Sequence, residues 1–178
     1  MDALNIAEGS VVADLGAASG WFTVRLARRV GPNGRVYAED IQPQMLEVIN
    51  RRMPRENLTY NNVITKLGTA DDPRLPIGAL DAVLIVDAYH EMESPVQLLR
   101  NAARALKPNG RLGIVEFTMD GGGPGPLMDE RVDPERVIRE AREAGLRLIA
   151  QPNMLRYQYM LVFEKAEKAA QSPAPRRK

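Results

Sequence analysis

Asp14-Leu15-Gly16-Ala17-Ala18-Ser19-Gly20 follows the apolar Val11-Val12-Ala13 and precedes Trp21-Phe22. The chemistry such a run can do lies in its backbone. Gly16, Ala18 and Gly20 clear side chains away where a strand passes into a helix, so the main chain can approach a ligand closely. About twenty residues on, Glu39-Asp40 ends a second strand-like segment, where a carboxylate can accept hydrogen bonds from ribose hydroxyls. Together these segments read as a nucleoside-binding strand, turn and helix. A pyrophosphate-binding turn wants G-x-G-x-x-G, whereas Asp14-x-Gly16-x-Ala18-x-Gly20 carries a carboxylate ahead of the turn and repeats every second residue. His90, the single histidine of the chain, is the natural candidate for a general base, with Glu91 beside it to orient it or to bind a polar acceptor.

Strand and helix patterns alternate around these residues, which calls for a mostly parallel sheet with helices on both faces. Strands are expected over 11–15, 35–40, 58–63, 82–87, 111–117, 147–151 and 157–163. The fold class is therefore α/β, a Rossmann-like doubly wound sheet of seven strands with the seventh antiparallel. Helical spacing places Phe22, Leu26, Arg29 and Val30 on one helix over 19–30, and Met45, Leu46, Ile49 and Met53 on another over 43–53. Ser94-Pro95 and Asp133-Pro134 each supply an N-cap followed by proline at the first helical position. Lys107-Pro108-Asn109-Gly110 is expected to turn the chain into the fifth strand. The run 119–126 is too glycine-rich to hold one conformation, and reads as a lid or as a surface connector.

At 178 residues the chain suits one domain, assigned to 1–165, with a disordered basic tail over 166–178. Lys168, Arg176, Arg177 and Lys178 against Glu167 give that tail +3, which leaves −2 for the body out of a net +1. The body is thus no basic nucleic-acid surface. The absence of cysteine excludes disulfides, thiolate metal sites and cysteine nucleophiles. The longest apolar stretch, 82–86, is strand length, so no membrane span and no leader are expected, and the cytoplasm is the default location. No His/Cys/carboxylate cluster shows metal-ligand spacing, so no metal is expected, and neither G-x-S-x-G nor G-x-x-x-x-G-K occurs. The eight methionines read as core filler, and Trp21 and Phe22 as packing of the first helix.

The run Asp14 to Gly20 resembles motif I of the class I S-adenosylmethionine-dependent methyltransferases. The segments 36–46, 81–91 and 106–112 resemble their second strand, fourth strand and turn into the fifth. The resemblance implies S-adenosylmethionine as cofactor. It implies that Gly16, Ala17, Ser19 and Gly20 surround the methionyl part, with Asp14 beneath its amino group. Asp40 would take the ribose hydroxyls, Ile41 pack on the adenine, and Thr69-Ala70-Asp71 border its polar edge. Ala18 departs from the family's second glycine and Thr69 from its frequent aspartate. Near the sulfonium, Asp87 would face the methionyl group and Tyr89 offer its ring face to positive charge.

The activity implied is methyl transfer by in-line displacement to a small molecule, quinone-like or otherwise apolar, with His90, Glu91 and Tyr89 as the catalytic set. A ribose 2′-O-methyltransferase of RNA and a non-catalytic S-adenosylmethionine-binding protein stand as alternatives. The first would need lysines before the first strand and on a later one, whereas the first lysine here is Lys66. The family usually places helices ahead of its first strand. Here that strand comes almost at once, which leaves an open acceptor site, a covering partner subunit as in a homodimer, or a shortened chain.

Overall fold

The structure is a computed structural model describing residues 1–58, 61–121 and 123–166. Of the tail expected over 166–178, Ala166 is described, its N–H donating to the Gly145 carbonyl at 2.9 Å, and the rest lies outside the described residues. The strands are β1 (Val11–Leu15), β2 (Arg35–Asp40), β3 (Val63–Leu67), β4 (Leu80–Val86), β5 (Leu106–Phe117), β6 (Leu146–Ala150) and β7 (Gln158–Lys165). The helices are α1 (Trp21–Val30), α2 (Pro43–Arg55), α3 (Pro95–Ala105) and α4 (Pro134–Glu143), with 3-10 turns at Asp2–Leu4 and Tyr89–Glu91.

The seven strands run in the order β3-β2-β1-β4-β5-β7-β6, with β7 antiparallel to both of its neighbours. Alternation along β1 divides the core. Val12 joins Leu26, Val30 and Ile49 of α1 and α2 on one face, while Ala13 joins Leu99 of α3 and Val137 of α4 on the other. Leu4 and Ile6, both buried, extend the first of these layers. The strand order reverses between β1 and β4, and a doubly wound sheet opens its binding crevice at the carboxyl ends of such a pair.

Several sequence expectations shift. The third strand is Val63–Leu67 rather than 58–63, because Asn61 turns left-handed (φ 51°) and buried Asn62 is spent on the end of α1. Its Nδ2 donates to the carbonyls of Ala27 (3.0 Å) and Gly31 (2.8 Å). Residues 107–110 do turn, but inside β5. Leu80 pairs with Leu106 and Ala82 with Arg111, so the extra residues loop out as a bulge in a strand that starts at Leu106. Ser94 makes no side-chain cap, whereas Asp133 accepts from Glu135 N at 2.8 Å.

Trp21 is 54% exposed and lies under the guanidinium of Arg25, 3.8 Å from its ring centroid, so it does not pack α1 into the core. Met53 and Met160 fill the core, but Met119, Met128 and Met154 are exposed. Methionine count alone does not separate these environments. The glycine-rich segment lies against aromatic rings: a Cβ on Gly125 would stand 2.7 Å from the Phe117 ring, so only glycine lets that backbone approach.

Candidate active site

The tip of β2 holds the turn after β1. Ala18 N donates to Asp40 Oδ2 at 2.9 Å, Ala17 N to the Glu39 carbonyl at 2.8 Å, and Gly16 N to Glu39 Oε2 at 3.4 Å. Asp40 Oδ1 accepts from Gln42 N at 2.9 Å, so each of its oxygens makes one bond and keeps a lone-pair direction for a further donor. A Cβ on Gly16 would stand 2.7 Å from Ala88 Cβ, which is why this position admits no side chain. Ala18 takes the left-handed region at φ 47° in place of a glycine. Ser19 is exposed, and its carbonyl accepts from Arg52 Nη1 at 3.2 Å. Gly20 caps α1, its N–H donating to the Ala17 carbonyl at 2.8 Å. Ile41, 56% exposed, stands at the rim.

The turn after β3 is closed on itself. Thr69 Oγ1 donates to Asp71 Oδ1 at 2.8 Å and accepts from Asp72 N at 3.1 Å, while Asn101 Nδ2 holds the Asp71 carbonyl at 2.8 Å. Gly68 N ties this turn to the Asp40 carbonyl at 3.1 Å, so Ala70 and Asp71 border the same crevice as Asp40.

Asp14, Glu39 and Asp40 are all buried here, and every hydrogen-bond donor to them is neutral. Asp14 accepts from Thr23 Oγ1 at 2.6 Å, which packs it between β1 and α1 rather than at the crevice surface. Burial pushes its carboxyl up to about 6, against the opposing pull of the Thr23 bonds. Burial pushes Glu39 further, to about 8, with Asp40, Asp14 and Asp72 adding repulsion. Its Oε1 is buried without a hydrogen-bond partner. Three carboxyl groups crowd one glycine turn, one with an orphaned oxygen and held neutral by burial, so a cationic ligand is the partner that would let them ionise together. A sulfonium carrying an ammonium group meets that demand, so these residues fit S-adenosylmethionine.

Beside this crevice lies a pocket of about 600 Å³ lined by Asp87, His90, Glu91 and part of the segment from Pro126 to Arg136. β4 and β5 build its floor. Asp87 N still pairs with the Val115 carbonyl at 2.8 Å, after which Asp87 turns left-handed (φ 51°) and starts the 3-10 turn carrying His90. Glu116, fully buried on β5, fixes that turn. Its Oε1 accepts from the backbone N–H of Tyr89 (2.7 Å) and of His90 (3.3 Å), and its Oε2 lies 3.0 Å from His90 Nδ1. Burial raises the Glu116 carboxyl, and His90 is the main opposing influence. The two amides require Oε1 as an acceptor, and with the Glu116 carboxylate ionised Nδ1–H donates to Oε2 and Nε2 carries the lone pair. The His90 side chain is 10% exposed, and Nε2 has no partner within hydrogen-bond range: Glu91 Oε1 is 3.7 Å away.

The structure thus brings Asp87, His90 and Glu91 together at one pocket, and Gly16, Ala17, Ser19, Gly20, Asp40, Ile41, Thr69, Ala70 and Asp71 around the neighbouring crevice. Tyr89 belongs to neither. It is buried in the core, and its hydroxyl donates to Glu140 Oε2 on α4 at 2.7 Å, so its ring does not face the crevice. Burial first, and Glu140 second, hold that hydroxyl protonated. Two residues escaped the sequence reading: Glu39, hidden behind Asp40, and Glu116. The signal for Glu116 was present, as a lone acid in the apolar Leu112-Gly113-Ile114-Val115-Glu116-Phe117.

Asp87, His90 and Glu116 each bring a ligand atom within 4.8 Å of the others, the donor set of a small cation site among the described residues. Nδ1 of His90 and Oε2 of Glu116 are spent on each other at 3.0 Å, so an ion held by Nδ1 would have to break the bond that orients His90.

A family profile described as a methyltransferase domain matches residues 12–110. An uncharacterized methyltransferase from Mycobacterium tuberculosis is 38% identical over 109 residues, covering 61% of this chain and 40% of its own length. A ubiquinone/menaquinone biosynthesis C-methyltransferase from Pasteurella multocida is 33% identical over 118 residues, covering 66% and 44%. The chain therefore spans less than half the length of these curated relatives. The crystal structure of a SAM-dependent methyltransferase from Aquifex aeolicus superposes with a TM-score of 0.83 at 25% identity, over 89% of this chain and 83% of that one. With the strand order and the glycine turn in agreement, the chain belongs to the class I S-adenosylmethionine-dependent methyltransferases.

Proposed function

We propose that this chain transfers a methyl group from S-adenosylmethionine to a small-molecule acceptor seated in the pocket beside His90. One observation carries the reading: a nine-tenths-buried histidine, fixed through Nδ1 by a buried carboxylate, lines the pocket two residues after Ala88, whose Cβ abuts Gly16 of the crevice. Asp40 would receive the ribose hydroxyls on its remaining lone pairs. Ile41 would cover one face of the adenine and the 69–71 turn its edge. Gly16 to Gly20 would lie along the methionyl part, with Asp14 beneath it and Glu39 ionising toward the positive charge of the bound cofactor.

Bound there, the cofactor supplies an electrophilic methyl group. The protein's own share is alignment, exclusion of water and removal of a proton. Nε2 of His90 would accept the proton of the attacking group, and Glu116 would stabilise the imidazolium that results. The carboxylate-rich lining argues against a polyphosphate acceptor such as RNA. The reading carries a cytoplasmic location with it, and no helix among the described residues is long and apolar enough to cross a membrane.

The test is calorimetry with S-adenosylhomocysteine alongside methyl-transfer assays. Wild type and His90→Ala are expected to bind it equally, with transfer reduced about 100-fold or more in the variant, the range of one general base. Asp40→Ala is expected to weaken binding by about 2 kcal/mol, the worth of hydrogen bonds to a charged acceptor. Failure of the wild type to bind would end the reading. Unchanged transfer in His90→Ala would end the base assignment.

A further inference from the structure

The donors and acceptors around the pocket are lopsided. Asp87, Glu91 and Asp129 present carboxylates that make no hydrogen bond among the described residues, and Asp87 and Glu91 come no closer to His90 than 4.0 and 3.7 Å. Glu130 spends Oε2 on Leu127 N at 3.0 Å and keeps the other oxygen. Four carboxyl groups face two arginines in this lining, and one of the arginines is paired with an acid outside it. Arg136 Nε donates to Glu140 Oε1 at 2.9 Å, while Arg131 donates from Nη1 to the Thr118 carbonyl at 2.8 Å and from Nε to the Pro126 carbonyl at 3.2 Å. His90 Nε2, the one pocket atom of a nine-tenths-buried side chain, is an unpaired acceptor as well.

A ligand matched to this excess of carboxylates brings donors and positive charge. We infer that the pocket binds a small organic ammonium ion, so that the methyl acceptor of the proposed reaction is an amine that binds protonated, gives one N–H proton to Nε2 of His90, and attacks the methyl group with the freed lone pair as S-adenosylhomocysteine leaves. Its N–H groups would reach Nε2 of His90 and the Asp87 carboxylate at the pocket floor. Asp129, Glu91 and Glu130 would supply the field at the mouth. This inference rests on the methyl-transfer reading for the role of the ligand, and on the pocket alone for its charge. It replaces the apolar, quinone-like acceptor expected from sequence. A quinol offers hydroxyl donors but no positive charge to match the carboxylates.

The experiment titrates the cofactor-free chain, in the presence of a chelator, with three probes of similar size and shape: 2-phenylethylammonium, 3-phenylpropanoate and 3-phenylpropan-1-ol. Binding is followed by NMR chemical-shift perturbation at His90 and Val132. S-adenosylhomocysteine is titrated in parallel by calorimetry. The ammonium is expected to bind about tenfold more tightly than the alcohol, with the carboxylate weakest, and to lose most of that margin when salt is raised from about 0.05 to about 0.5 M. Asp129→Asn is expected to weaken the ammonium about threefold and leave S-adenosylhomocysteine unchanged, since Asp129 lies outside the crevice. Equal or tighter binding of the alcohol or the carboxylate would overturn the inference, as would an Asp129→Asn variant that binds the ammonium like wild type. S-adenosylhomocysteine binding without ammonium preference would sink the inference alone. Ammonium binding without S-adenosylhomocysteine binding would sink the methyl-transfer reading, and with it the role of the ligand as acceptor.

Discussion

At the scale of the residue, the site depends on two acids that hold other groups in place. Glu116 converts His90 from a surface imidazole of either tautomer into an acceptor with one direction. Glu116→Gln is expected to lower transfer by about tenfold to 100-fold, the usual cost of losing the partner that orients a working histidine. S-adenosylhomocysteine affinity should stay within about twofold, since the crevice is untouched. A parallel loss of affinity in calorimetry would show that Glu116 merely holds the fold. Gly16→Ala introduces a methyl that would stand 2.7 Å from Ala88 Cβ, on a backbone at φ 72°. It is expected to cost about 1–3 kcal/mol in urea unfolding and to abolish measurable cofactor binding, because the turn and the start of the 3-10 segment must part.

At the scale of the element, each functional group sits just past a strand end, where the chain leaves the sheet, and its aim is set by the neighbouring strand. β2 holds the turn after β1 through Glu39 and Asp40, and β5 holds the turn after β4 through Glu116. α1 is secured differently, by the buried Asn62 amide across its last carbonyls. Asn62→Ala leaves those carbonyls without their donor and is expected to destabilise the chain by about 1–3 kcal/mol in chemical denaturation, with little change in transfer. A neutral result would mean that water replaces the amide.

At the scale of the whole molecule, the buried acids make stability depend on pH. Glu39 titrates near 4.5 when unfolded and near 8 when folded, so between those values the folded chain holds a proton that the unfolded chain has released. Its contribution is therefore fully favourable below about pH 4.5 and is lost as pH rises through about 8. Thermal unfolding of Glu39→Gln without cofactor should lie within about 1 kcal/mol of wild type near pH 5 and exceed it by about 4 kcal/mol at pH 9, on the scale of 1.36 kcal/mol per pKa unit. Identical pH profiles would show that Glu39 ionises freely. A chelator should leave both binding and transfer unchanged, because His90 Nδ1 and Glu116 Oε2 are bonded to each other; loss of transfer on chelation would instead assign Asp87, His90 and Glu116 to an ion.

The sequence by itself determined the layered fold, the glycine turn, Asp40 at the second strand end and His90 after the fourth. Periodicity, capping and turn chemistry are local, and they write themselves into neighbouring residues. It misplaced β3, because Asn62 is committed to carbonyls 31 and 35 residues away. It misread Tyr89, because what turns the ring inward is Glu140, 51 residues along. It missed Glu116 as the partner of His90, since their contact spans 26 residues and two strands. Only the tertiary structure decided which carboxylates stay unpaired around the pocket, because pairing is a property of groups that the chain brings together across the sheet, not of their order along it.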